Sequence, residues 1–168
     1  MAIETLYPAC GSLVGGVAAL KMIDAERLAL PSFEEDARSC SMPEVSDGGE
    51  WATVAFVDGS CSYTQKVSYR SQLPEVRYTL RFTLPDNEPS QRFVAQLEEA
   101  SRNTGIVAIV TLQNQRQLLV ALSPALGTEQ PLRLVETTIS TYTKREDRRT
   151  IEVQLECCTE CCAATINI

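Results

Sequence analysis

At 168 residues the chain has the length of one domain, and its 44% hydrophobic and 22% charged residues match a folded globular protein, which sets aside extended disorder, a collagen-like repeat and a coiled coil. The 15 Lys and Arg against 22 Asp and Glu leave a net charge of −7, a balance opposed to tracking a phosphate backbone, because such binding rests on cationic side chains displacing counterions. There is no histidine, so the usual general base near pH 7, the Ser-His and Cys-His nucleophile pairs and the commonest neutral zinc ligand are missing.

The N-terminal third is the least regular. Met1-Ala2-Ile3-Glu4 has an early acid and no basic segment, so it does not read as a secretory signal. Gly11 to Leu20 suits a short strand. Pro31 to Gly49 carries Glu34, Glu35, Asp36, Glu44 and Asp47 with two prolines and reads as a long acidic loop, a kind of segment that either moves or finds a partner. The first 50 residues are thus an irregular arm and loop, residues 51–156 a β core, and 157–168 a Cys-rich tail of one single domain.

In the core, Trp51 to Val57 and Cys61 to Arg70 flank Asp58-Gly59, a pair suited to a type I′ turn, which predicts a hairpin. Cys61, Tyr63, Val67 and Tyr69 share one face of its second arm. Val76, Tyr78, Leu80, Phe82 and Leu84 alternate with Arg77, Thr79, Arg81 and Thr83, the period of a strand with one core face. Pro85-Asp-Asn-Glu-Pro-Ser90 ends that strand and offers N-caps for a helix over about 88–103. Phe93, Val94, Leu97, Ala100 and Ser101 form its apolar stripe, and Asn103 and Gly105 stop it. Ile106 to Leu112 and Gln117 to Leu122 read as a more buried second hairpin. Leu132 to Ser140 and Thr150 to Glu156, around the charged Lys144 to Arg149, read as a third. The fold class is mainly β, an antiparallel sandwich or barrel with one flanking helix.

No apolar stretch approaches the roughly 18 residues that cross a bilayer, so no membrane partner is expected. Seven unevenly spaced cysteines make a poor secreted disulfide framework, and reduced thiols in a cytoplasm fit better. Cys157, Cys158, Cys161 and Cys162 put four thiols within six residues, but a structural zinc site takes two ligand pairs on separate elements and there is no second C-x-x-C. In a continuing strand Cys157 and Cys161 face one way and Cys158 and Cys162 the other, so packing is the expected role and no metal or cofactor is assigned. Arg77 and Arg81 are expected to pair with acids on a neighbouring strand. Glu98-Glu99 and Glu34-Glu35-Asp36 lack the burial that shifts a carboxyl toward acid-base work. No catalytic residue is assigned.

The order of elements resembles the β-sandwich or barrel with a flanking helix of tail tube and related tail proteins of tailed phages. Tyr78 to Leu84, Phe93 to Leu97, Ile106 to Val110, Gln113 to Arg116 and Leu118 to Ala121, then Thr137 to Ser140 and Ile151 to Leu155, are similar to small virion proteins from phages and prophages of Bacteroidota, including the crAss-like group. The chain departs from them at Ala121-Leu-Ser-Pro124, where a glycine often follows the second hairpin strand, and in its Cys-rich ending. The resemblance implies a non-enzymatic virion subunit, assembled in the host cytoplasm, that stacks as hexameric rings and meets other tail or neck proteins. DNA would pass through the channel without specific binding. Glu34, Glu35, Asp36, Asp47 and the turn at Asp58-Gly59 are then the expected self-association residues. The competing readings are a small ligand- or protein-binding β-barrel, with a cavity lined by Tyr63, Tyr69, Tyr78 and Phe82, and a Cys-dependent metal or redox protein.

Overall fold

Apolar runs of two kinds occur in this chain, and each settles in a different layer. Runs apolar at every residue need cover on both faces, whereas alternating runs need it on one. The structure, a computed structural model, describes residues 15–35, 38–46, 48–141, 148–160 and 162–167. In chain order the described strands are β1 (Val17–Asp24), β2 (Ser39–Cys40), β3 (Ala52–Thr53), β4 (Ser62–Arg70) and β5 (Leu73–Pro85). Helix α1 (Glu88–Arg102) follows, and then β6 (Ile106–Leu112), β7 (Gln117–Val120), β8 (Arg133–Ser140), β9 (Thr150–Thr159) and β10 (Ala164–Ile166). They form a six-stranded sheet, β2-β10-β7-β6-β1-β3, and a four-stranded sheet, β4-β5-β9-β8. The sheets pack as a sandwich and do not close into a barrel. All strand pairings are antiparallel except that of β10 with β2.

Central β6 explains the layering. Ile106, Ala108 and Val110 point into the core between the sheets, while Val107 and Ile109 point into a second core on the opposite face. The inter-sheet core is completed by Val76, Tyr78, Leu80, Phe82 and Leu84 of β5 and by Ile151, Val153 and Leu155 of β9, all buried. Each large side chain so buried contributes about 1.5–3 kcal/mol. Phe93, Val94, Leu97 and Ala100 of α1 pack against this same core, as the helical stripe predicts. Asn87 caps the helix by accepting from the Ser90 N–H at 2.9 Å. Next to the cap, the Asp86 carboxylate, its side chain only 1% exposed, meets Arg149 at 2.7 Å and ties the helix entry to the start of β9.

Four expectations change. The second core is covered by the segment expected to be a long acidic loop, Pro31 to Gly49, together with Leu28 and Trp51 on either side of it. Leu28, Phe33, Cys40, Val45 and Trp51 lie over Ile109, Leu119 and Ile166, and β2 runs parallel to β10 at the sheet edge. Apolar residues spaced irregularly among acids gave no period to read, yet each one is anchored. Gly11 to Leu20 contributes β1 only from Val17, and β1 runs on to Asp24 between β6 and β3.

Asp58-Gly59 does not close a hairpin. Gly59 has φ +73° and Asp58 has no positive φ, so the turn is not type I′. It carries the chain from β3 in one sheet to β4 in the other, with the Val57 N–H on the Thr83 carbonyl at 2.8 Å. The hairpin partner of β4 is β5, joined through Ser71 and Gln72, both at positive φ. The second and third hairpins form as expected, β6 with β7 and β8 with β9. β9 continues to Thr159, which makes Cys157 and Cys158 strand residues instead of tail. Residues 144–147 of the charged turn lie outside the described residues.

Candidate functional site

An unpaired strand edge offers a row of backbone donors and acceptors to another chain, so proteins shorten, charge or cover such edges. The six-stranded sheet ends in β2 and β3, two residues each. The four-stranded sheet ends in β4 and β8, nine and eight residues long. Along both long edges, side chains on the core side of the sheet reach past the cover of the other sheet. In β4 these are Val67 and Tyr69, opposite Val76 and Pro74. In β8 Ile139, opposite the buried Ile151, is 58% exposed. Val135 is also exposed and sits at a register shift between Leu134 and Glu136, a bulge that interrupts the β8 edge near its start.

The β4–β5 hairpin projects beyond its sheet. β9 pairs with β5 only from Val76 onward, so Leu73, Pro74 and Glu75 are held by β4 alone. Tyr69 pairs with Pro74 and Arg70 with Leu73, which places Tyr69 and Leu73 on opposite faces of the tip. Both are 72% exposed. Arg70 and, further back, the paired Lys66 and Arg77 share the Leu73 face, and Glu75 lies 3.7 Å from Arg70 and 3.8 Å from Arg77.

Two depressions interrupt the surface. A cleft of about 520 Å³ separates α1 from β1 and β3. Its floor is apolar, from Met22, Phe93, Leu97 and Ile106, and its rim carries Asp24, Glu26, Glu50 and Glu99 against a single Arg27. A shallower groove of about 290 Å³ lies across the outer face of the four-stranded sheet between Ser62, Arg81, Glu136 and Glu152.

The expected self-association acids do not converge. Glu34 accepts from the Asn167 amide at 2.9 Å beside the β2 edge, and Glu35 is exposed nearby. Asp58 and Gly59 are exposed and follow β3, at the other end of the strand order. Asp36 and Asp47 lie outside the described residues. Glu98 pairs with Arg102 one helical turn on. Arg77 meets an acid, but on its own strand, while Arg81 stands opposite Ser62 and Gln154. The cross-strand acids expected for the pair are therefore not in register.

The described thiols diverge as well. Cys157 turns into the core and donates to the Gln130 carbonyl at 2.9 Å, and burial followed by the neighbouring Cys158 pushes its pKa up to about 12. Cys158 turns outward and donates to Glu75 at 3.4 Å; desolvation and then that hydrogen bond raise its pKa. Cys162 is exposed, and Cys161 lies outside the described residues. Among the described residues no three Cys, Asp or Glu side chains are placed to share a metal ion.

Tyr78 and Phe82, expected to line a ligand cavity, are 2% and 1% exposed and belong to the filled inter-sheet core. Tyr63 stacks on Tyr78 with ring centroids 6.2 Å apart, and burial raises the Tyr63 pKa. Only Tyr69 of that face is left outside. Alternation does not mark the hairpin tip and the β8 edge, because it shows which residues share a face and not where the opposing sheet ends. The available signal was the excess length of the β4 and β5 runs over their cover. Compared with known proteins, the chain matches no family model, no curated protein and no solved structure.

Proposed function

We propose that the chain is a non-enzymatic structural subunit of a phage tail, assembling into rings around a channel for DNA. The observation that carries this reading is the pair of long open edges, β4 and β8, on opposite sides of one sheet. Joining β4 of one copy to β8 of the next uses two different surfaces, and a head-to-tail contact of that kind closes into a ring when the rotation permits. The sheet then runs on from copy to copy, with every internal edge paired and the uncovered Val67 and Ile139 given neighbours. The net charge of −7 suits a lumen that repels the phosphate backbone during passage. The phage-tail assignment and the hexameric order come from the sequence resemblance.

Negative-stain imaging and sedimentation of the purified full chain test this. Rings or stacks of rings are expected, with dispersal on placing lysines at both uncovered edges (Val67→Lys with Ile139→Lys). A clean monomer at high concentration overturns the proposal.

A further inference from the structure

An apolar side chain on each face of a projecting tip is poorly served by a flat partner, which could cover only one of them. Two walls are needed. The cleft beside α1 has them: above its floor, Gln96 and Ala100 line the helix side and Ala52 the sheet side. Its charge also opposes that of the tip. Asp24, Glu26, Glu50 and Glu99 with Arg27 give the rim a formal charge of −3, while Lys66, Arg70 and Arg77 with Glu75 give the tip +2. Opposed charges on facing surfaces set partner choice and orientation more than raw affinity.

We infer that the β4–β5 hairpin tip of one copy inserts into the α1 cleft of a second copy, seating Tyr69 and Leu73 between its walls under an acidic rim. The contact is between molecules. The tip lies at the Leu73 end of β5, whereas the cleft end of α1 is held at Ser101 by the Leu134 N–H, and Leu134 is in register through Leu155 with Leu80 of β5; the strand from Leu73 to Leu80 spans roughly 23 Å, too far for a tip to reach its own cleft. Because the tip projects along the strands, the copy that receives it lies beyond that end of the sheet, across the direction in which β4 and β8 edges would join. It stacks one ring on the next. The inference rests on the proposed ring assembly for its setting; the ring contact is made by the β4 edge with Val67, and variants confined to the turn, β5 and the cleft separate the stacking contact from it.

The test uses two full-length variants, a tip reversal outside the β4 edge (Gln72→Glu with Arg77→Glu) and a cleft reversal (Glu50→Lys with Glu99→Lys). All four positions are exposed, and unchanged β-rich circular dichroism checks the fold. In sedimentation velocity each variant alone is expected to give single rings with stacking weakened roughly tenfold or more, since each carries tip and cleft of one sign. Mixed in equal amounts they alternate, acidic tip into basic cleft and basic tip into acidic cleft, and stacks return. Wild-type stacking by either variant alone, or a mixture that stays as single rings, overturns the inference and leaves the ring proposal standing. A wild-type chain that forms neither rings nor stacks overturns both.

Discussion

Gly105 and Pro131 fit so closely that a Cβ on the glycine would lie 2.1 Å from the proline Cγ. Gly105 also sits at φ +88°, accepts from the Ala25 N–H at 3.0 Å and donates to the Ala100 carbonyl at 2.7 Å. It therefore joins the end of α1, the start of β6 and the approach to β8. Gly105→Ala combines left-handed strain with overpacking and is expected to cost about 2–4 kcal/mol. Adding Pro131→Gly removes the clash and should recover part of the loss. Urea denaturation of the single and double variants checks both signs.

Ser71 and Gln72 occupy the two positive-φ positions of the β4–β5 turn without being glycine or asparagine. Replacing them with Asn-Gly supplies the residues such a turn favours. A gain of about 0.5–1 kcal/mol in thermal stability is expected, and an unchanged or lower Tm would mean that another turn geometry holds there.

Buried thiols tie stability to alkaline pH. Burial pushes Cys61 and Cys157 up to about 12, so both stay protonated in the folded chain after the unfolded chain has begun to ionise. Their contribution is complete below pH about 9 and is lost as pH rises toward about 12, at no more than about 1.4 kcal/mol per pH unit per thiol. Denaturation curves between pH 8 and 10 should show the decline, with a shallower slope in Cys61→Ala with Cys157→Ala. At pH 8 a thiol reagent should modify the exposed Cys158 and Cys162 well before Cys40, Cys61 and Cys157.

Cys40, 1% exposed on β2, belongs to the cover of the second core. Cys40→Asp forces a carboxylate among Phe33, Leu119 and Ile166 and is expected to cost more than about 3 kcal/mol. Deleting residues 34–49 removes β2 and Val45 and should lower the Tm sharply. A deletion variant with the wild-type Tm would show that the cover is dispensable.

Strong periodicity made most of the framework legible. The five alternating apolar residues of β5, the stripe and cap of α1, and the two later hairpins follow from residue spacing alone. Asp58-Gly59 misled because a turn signal reports local φ preference and says nothing about which strand lies beyond. The N-terminal cover was illegible for a related reason: Phe33, Cys40 and Val45 are anchored one by one, with no shared period. At Ala121 the sequence missed a glycine, and the backbone there does take φ +72°, so the demand for a left-handed residue is real although alanine fills it. The edge surfaces needed the sizes of both sheets, a comparison no single segment contains.

The parallel pairing of β10 with β2 joins Thr165 to Ser39 and Ile166 to Cys40 across most of the chain. During synthesis β2 emerges early with only its local bridge to Phe33, and the β7 edge stays open until Ala164–Ile166 has left the ribosome. Pairings of such long sequence separation form late and slowly. The second core is consequently sealed only once Ala164–Ile166 is in place between β7 and β2, so a chain that has not yet docked this strand presents an exposed edge to quality control and not a competent building block.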